Sequence, residues 1–221
     1  MLTKNISFKN FRLKKYNKKI KKDFDILLNE KNEILKSLSI SYKNSYTKKN
    51  ILKFNKNSYL RIIGMGGSIL GTESIYTFLK HKIKKKIFFY GNLKANVNSL
   101  DKKKHLNLIV SKSGNTLETI SNVNIIIKNR DKNIFITQNA KSYLYTLAQK
   151  LKAEIVHHND FIGGRYSVLS EVGMLPAELM GLNSSKFKQL NNLIKNKKFI
   201  NALITNVNNT LFFLKQKKFN S

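Results

Sequence analysis

Cysteine and tryptophan are absent from this sequence, and proline occurs once, at Pro176. Without cysteine there is no disulfide framework, so the redox compartment is left open and a cytoplasmic location is the expectation. Long apolar runs are missing too. The stretches "NIIIK" and "KIFFYG" are cut off by Lys or Asn within a few positions, far short of the roughly 20 apolar residues a membrane-crossing helix needs. No membrane span is therefore expected. The first twenty residues are basic, but they lack the continuous apolar segment and small-residue cleavage site of a secretory signal. Acidic residues are scarce, at 12 against 42 Lys and Arg, which leaves a formal charge of +30.

That charge is spread rather than focused. Lys14, Lys15, Lys18, Lys19, Lys21 and Lys22 fall in a first helical segment, Lys84 to Lys86 precede a strand, Lys102 to Lys104 follow another, and Lys215, Lys217 and Lys218 lie near the end. They are interleaved with Asn and Ile, the other residues of A- and T-rich codons, which points to base composition. A nucleic-acid interface gathers its cations on one face with aromatics placed for stacking. No specific nucleic-acid partner is expected, although the field attracts small anions, phosphates included.

A chain of 221 residues, 41% of them hydrophobic, accommodates one sizeable domain with an extension or two small ones. Phe24, Leu27, Leu28, Ile34, Leu35 and Leu38 recur at helical spacing, so about the first forty residues read as a helical lead-in. From Tyr59 the pattern changes to strands alternating with helices. Strands are expected at Tyr59–Gly64, Ile87–Tyr90, Leu106–Val110, Asn133–Thr137 and around Ile155. Helices are expected from Ser68 to about Lys80, Thr116 to about Lys128, Ala140 to Leu151, and over much of the chain after Ser170, including Asn201 to Lys217. This alternation is the signature of βαβ units: an α/β fold, a three-layer αβα sandwich built on a parallel sheet, with helical segments before and after it. Ligands of such sheets bind at the carboxyl ends of the strands.

Three strand-to-helix junctions carry the chemistry. In "GMGGSILG", Gly64 to Gly71, Gly66 and Gly67 let a ligand approach the main chain, and Ser68 adds a hydroxyl at the start of a helix. The spacing does not match a dinucleotide fingerprint, since Ile69 stands where a glycine is required. Nor is it a nucleotidase-type phosphate loop, since Thr72 follows Gly71 where that loop has lysine. In "SKSGNTLET", Ser111, Lys112, Ser113 and Thr116 gather hydroxyls, a cation and free amides at a helix start, Gly114 allows the turn, and Asn115 with Glu118 approximates a capping box. In "GGRYSVLSEVG", Gly163 to Gly173, paired glycines place Arg165, whose planar guanidinium suits an oxyanion.

The three motifs, in this order and at comparable intervals, resemble the amino-terminal sugar-isomerase (SIS) domain of the phosphoglucose isomerase family, over roughly Tyr59 to Leu182. The resemblance implies a flavodoxin-like SIS domain over 56–182, a helical extension over 1–55 and a helical segment over 183–221 leading toward an absent second SIS domain. It implies that Ser111, Lys112 (chiefly through its backbone), Ser113 and Thr116 cradle a substrate phosphate, and that Gly67 and Ser68 lie against the sugar. Gly164 and Arg165 then stand beside the reacting carbons, the arginine stabilising a cis-enediolate, while Glu118 orients a ring-opening histidine. The implied activity is reversible aldose–ketose isomerisation of glucose 6-phosphate and fructose 6-phosphate, in glycolysis and gluconeogenesis, by a homodimer that uses neither metal nor organic cofactor.

The family's proton-shuttling glutamate and its histidine lie in stretches such as "ESNGK" and "GTNGQH", which have no counterpart here. The chain is therefore expected to be incomplete and inactive alone. Glu73, Glu171 and Glu178 are substitutes on paper, each expected in a solvated or capping role, and His157 and His158 are expected in a loop. Glu171 also stands where the family usually has proline or a small residue. A stand-alone sugar-phosphate sensor without catalysis is the alternative reading.

Overall fold

The computed structural model describes residues 18–93, 103–128, 131–188 and 196–216. They fall in two compact units, one spanning residues 41–187 and the other drawn from 1–40 and 188–221. In chain order the helices are α1 (Lys18–Asn29), α2 (Glu33–Ser37), α3 (Lys48–Leu52), α4 (Leu70–Leu79), α5 (Leu117–Ile126), α6 (Tyr143–Lys150), α7 (Glu171–Leu179) and α8 (Lys197–Lys215).

The larger unit is built on five parallel strands, β1 (Tyr59–Gly64), β2 (Lys86–Tyr90), β3 (Leu106–Val110), β4 (Lys132–Thr137) and β5 (Glu154–His157), in the order β2-β1-β3-β4-β5. The chain starts in the interior of the sheet, steps outward to β2, then returns past β1 and runs the other way. Because such crossovers keep one hand, the reversal sends the connecting helices to opposite faces.

Side chains of a strand alternate between faces, and the core divides accordingly. Leu60, Ile62, Leu108, Val110, Ile134 and Ile136 pack with Val172, Leu175 and Leu179 of α7 and Ile51 of α3. Their neighbours Ile63, Ile109 and Phe135 pack on the other side with Val123 and Ile126 of α5 and Leu144 and Ala148 of α6. Through Ile75, α4 joins Met174 and Ala177 of α7. Helices thus cover both faces of the sheet, as the alternating pattern implies. One charged residue interrupts the apolar strands: Arg61, only 3% exposed. Its guanidinium meets Asp131 at 3.1 Å, and the same carboxylate accepts from Asn107 Nδ2 and the His105 amide, so the buried charges are compensated.

Several boundaries differ from expectation, each for a local reason. β2 and β4 each begin one residue earlier, at Lys86 and Lys132. A 3-10 turn at Gly66–Ser68 delays α4 to Leu70. Ser142 accepts from the Tyr145 amide and so starts α6 at Tyr143 rather than Ala140. Asn196 accepts from the Phe199 amide and starts α8 four residues before Asn201. The lead-in is helical over α1 and α2, yet Leu27 and Leu28 of its periodic stripe are exposed while Ile20 is buried. Residues 1–17 of that expectation, and Lys102, Lys217 and Lys218, lie outside the described residues. Among the described residues no helix is long and apolar enough to cross a membrane.

Candidate functional site

The order of the strands reverses between β1 and β3, and two of the three motifs leave the sheet there, from the carboxyl ends of those adjacent strands. That is where an open α/β sheet forms a crevice. Gly64 and Val110 are register partners, so the first two motifs start side by side.

The second motif turns tightly. Ser111 is buried, its amide donates to Ile136 O of β4, and its Oγ lies 3.0 Å from Thr116 Oγ1. Gly114 takes a positive φ of 65°, and a β-carbon there would fall on Ser142 Oγ, so this bend requires glycine. Thr116 is the N-cap of α5 but makes no side-chain bond to its first-turn amides. Those N–H groups, at the positive end of the helix dipole and beside two hydroxyls, are suited to an anion. The expected capping box does not form. Asn115 reaches away from α5 instead, its Oδ1 accepting from the Tyr143 amide at 2.9 Å, because the turn brings the start of α6 alongside. Glu118 is half-buried in the first turn of α5, and Ser113 Oγ accepts from the Asn115 amide.

Lys112 is held at both ends. Its carbonyl accepts from the Gln138 amide at 3.1 Å, and its Nζ donates to Asp160 O at 2.6 Å. The ammonium is thus committed to the turn after β5.

The third motif forms a 3-10 turn, Gly164–Leu169, that packs on the first. A β-carbon on Gly67 would lie 2.4 Å from Gly164 C and O, so only glycine allows this approach. Ser167 is buried and pins the contact, its Oγ donating to Gly164 O at 2.8 Å, with Gly67 O 3.4 Å away. Arg165 is exposed, and among the described residues neither it nor Glu118 has a side-chain hydrogen bond or ion pair. Ser68 is half-buried above the end of β1, where its Cβ lies 3.2 Å from the position a Gly64 β-carbon would take.

Ser111 therefore meets Thr116, Gly67 meets Gly164, and Lys112 meets the approach to the third motif. Ser113, Glu118 and Arg165 make no polar contact with these or with one another among the described residues.

Expectations for the spare acids and histidines need correction. Glu171 is not solvated: it is fully buried, accepting from Tyr42 Oη at 2.9 Å and the Asn159 amide at 2.8 Å. Glu178 accepts from Ser184 Oγ, and burial together with the carboxylates of Glu178 and Glu171 raises the Tyr46 phenol well above its ordinary pKa. Glu73 is exposed, as expected. His157 ends β5 rather than lying in a loop. His158 is buried with Nδ1 3.0 Å from Asn159 O, which as a pure acceptor fixes the proton on Nδ1. Burial lowers its pKa below the usual 6.5; Glu171 opposes this, and Lys112 adds to it. Ser167 and the Tyr42–Glu171–Asn159 cluster escaped the sequence reading. Ser167 stood inside the quoted third motif, whereas the cluster joins residues too far apart in sequence to leave a pattern. No group of three or more His, Asp or Glu able to hold a metal occurs among the described residues.

Residues 28–214 match the model of the phosphoglucose isomerase family. The glucose-6-phosphate isomerase of Acholeplasma laidlawii is 36% identical over 144 residues, 57% of this chain and 34% of that protein. That of Methanocaldococcus jannaschii is 34% identical over 164 residues, 65% of this chain and 40% of its own. The chain thus spans well under half the length of these relatives. Among solved structures, a hypothetical protein of Thermus thermophilus superposes with a TM-score of 0.68 at 18% identity, covering 88% of this chain and 52% of that one. The tagatose-6-phosphate ketose/aldose isomerase of Escherichia coli gives 0.50 at 17% identity, covering 66% and 45%. At these identities the two structures speak for the fold.

Proposed function

The chain belongs to the phosphoglucose isomerase family, and from that premise we propose that residues 59–182 form the sugar-phosphate-binding SIS domain of a glucose-6-phosphate isomerase. The observation that carries this reading is the uncapped start of α5 beside the Ser111–Thr116 hydroxyl pair at the β1/β3 crevice. A phosphate there would accept from the Lys112–Thr116 main chain and the hydroxyls of Ser111, Ser113 and Thr116. The sugar would extend toward Gly67, Ser68 and the turn carrying Gly164.

Moving a carbonyl between C1 and C2 requires removal of a proton from the carbon beside the carbonyl, leaving an enediolate. Arg165, exposed and without a hydrogen bond or ion pair among the described residues, supplies the fixed positive charge for that oxygen. Glu118 orients a histidine for ring opening, and the remote phosphate contributes binding energy for orientation. The base that takes the C2 proton and returns it to C1 belongs, in this reading, to parts of the enzyme beyond this chain, which matches only 34% to 40% of its relatives' lengths. The complete enzyme would be a homodimer acting in glycolysis and gluconeogenesis.

The test is a coupled assay converting fructose 6-phosphate to glucose 6-phosphate, run on this chain beside a binding titration. Sugar-phosphate binding without turnover is the expected result. Turnover by the chain itself would place a base among these residues, and absence of binding would remove the site.

A further inference from the structure

Glu171 is the least expected residue of the larger unit, a carboxylate with no exposed surface at the first position of α7. Burying a charge costs several kcal/mol unless it is well hydrogen-bonded, so its partners matter. They are Tyr42 Oη at 2.9 Å and the Asn159 amide at 2.8 Å, while Asn159 Nδ2 approaches the same phenol at 3.5 Å. The carboxylate thereby holds the inner side of the turn that follows β5. That turn is closed by Asn159 Oδ1, which accepts from the Phe161 amide at 2.9 Å, and its Asp160 carbonyl receives the Lys112 ammonium at 2.6 Å.

We infer that Glu171 is a positioning residue for the anion site: it fixes the 158–161 turn, and through the Asp160–Lys112 bond it sets the main chain of the Ser111–Thr116 loop. The inference rests on the reading of that loop as the phosphate cradle. Lys112 has its carbonyl fastened to the Gln138 amide on one side and its Nζ to Asp160 on the other, so the peptide between Ser111 and Ser113 is clamped. Loosening the turn frees the ammonium, and the loop then loses order that binding must restore. Reach rather than charge is what this role demands. Glutamine keeps an acceptor oxygen for the Asn159 amide at the same distance, whereas aspartate keeps the charge and falls one methylene short.

The experiment is a titration with glucose 6-phosphate of the chain and its variants Glu171→Gln and Glu171→Asp, each also in a Lys112→Met background. Glu171→Gln should bind within about twofold of the unmodified chain, and Glu171→Asp about fivefold more weakly, the size of one net hydrogen bond. The Asp effect should vanish in the Lys112→Met background, because the link it acts through is already cut. An Asp variant that binds as the unmodified chain does, or that loses the same factor in both backgrounds, overturns the inference while leaving the cradle standing. An unmodified chain that does not bind at all overturns both. The coupling is also readable without any variant, since it must be reciprocal. Saturating glucose 6-phosphate should slow hydrogen exchange at the Asn159 amide, and unchanged exchange there contradicts the inference even if Glu171→Asp fails to fold.

Discussion

Gly67 and Gly164 touch backbone to backbone, but the contact is lopsided: a β-carbon on Gly67 would stand 2.4 Å from Gly164 C and O, while one on Gly164 would clear Gly67 Cα by 3.6 Å. The first and third motifs are locked at this point, with Ser167 bonded across it.

The two alanine substitutions should therefore separate. Gly67→Ala meets main chain that cannot rotate away, and should cost about 1–3 kcal/mol, as overpacking does. Gly164→Ala makes ordinary contact and should fall within about 0.5 kcal/mol of the unmodified chain. Chemical denaturation of both variants checks this, and equal losses would show that the contact is not the constraint.

Thr116 tests the hydroxyl side of the proposed anion site. Thr116→Val keeps the shape but removes the group 3.0 Å from Ser111 Oγ. It should weaken glucose 6-phosphate binding by about 1–3 kcal/mol, the cost of an unmet polar partner. Unchanged affinity in a titration would move the phosphate elsewhere.

The strands and the junction loops were legible in the sequence because both are local. β1 and β3 are buried on both faces and so read as short, mostly apolar runs, each broken by one polar residue, Arg61 or Asn107, and ended by Gly64 and Ser111. What the sequence could not disclose is what the turn does with its polar side chains. Asn115 looked like a cap for the helix beside it, but its partner is the Tyr143 amide, delivered by the β4–α6 connection. Glu171, at a helical position, reads as a solvated or capping acid, and only the fold brings Tyr42 against it. Hydrogen bonds between distant residues have no period, so they leave no trace in composition or spacing.

Arg165 should matter for ligand and not for folding. It is exposed and makes no hydrogen bond or ion pair among the described residues, so Arg165→Ala should change stability by no more than about 0.5 kcal/mol. If Arg165 has the role proposed for it, the same change in an active isomerase should depress kcat far more than it raises KM, because its charge would then meet an oxygen that becomes negative only on the way to the enediolate. A variant affected only in KM would assign the guanidinium to ground-state binding.

His158 gives the fold a pH dependence of known sign. Its pKa is lowered in the folded chain by burial, so the unfolded chain binds the proton first as pH falls. Its contribution is complete above the usual 6.5 and is lost as pH falls from there toward the lowered value. Urea unfolding between neutral pH and about pH 5 should show stability declining with a slope from this group of at most about 1.4 kcal/mol per pH unit. His158→Asn should flatten that part of the profile. An unchanged slope would assign it to other groups.

The central claim, that the Ser111–Thr116 loop and the start of α5 hold a sugar phosphate, is tested most directly by titrating isotope-labelled chain with glucose 6-phosphate and following every amide. The largest changes are expected at Lys112 to Glu118, smaller ones at Gly67 and Ser68, and the same first set with inorganic phosphate alone. Saturable binding that leaves these amides unmoved, or no binding of either ligand, would contradict it.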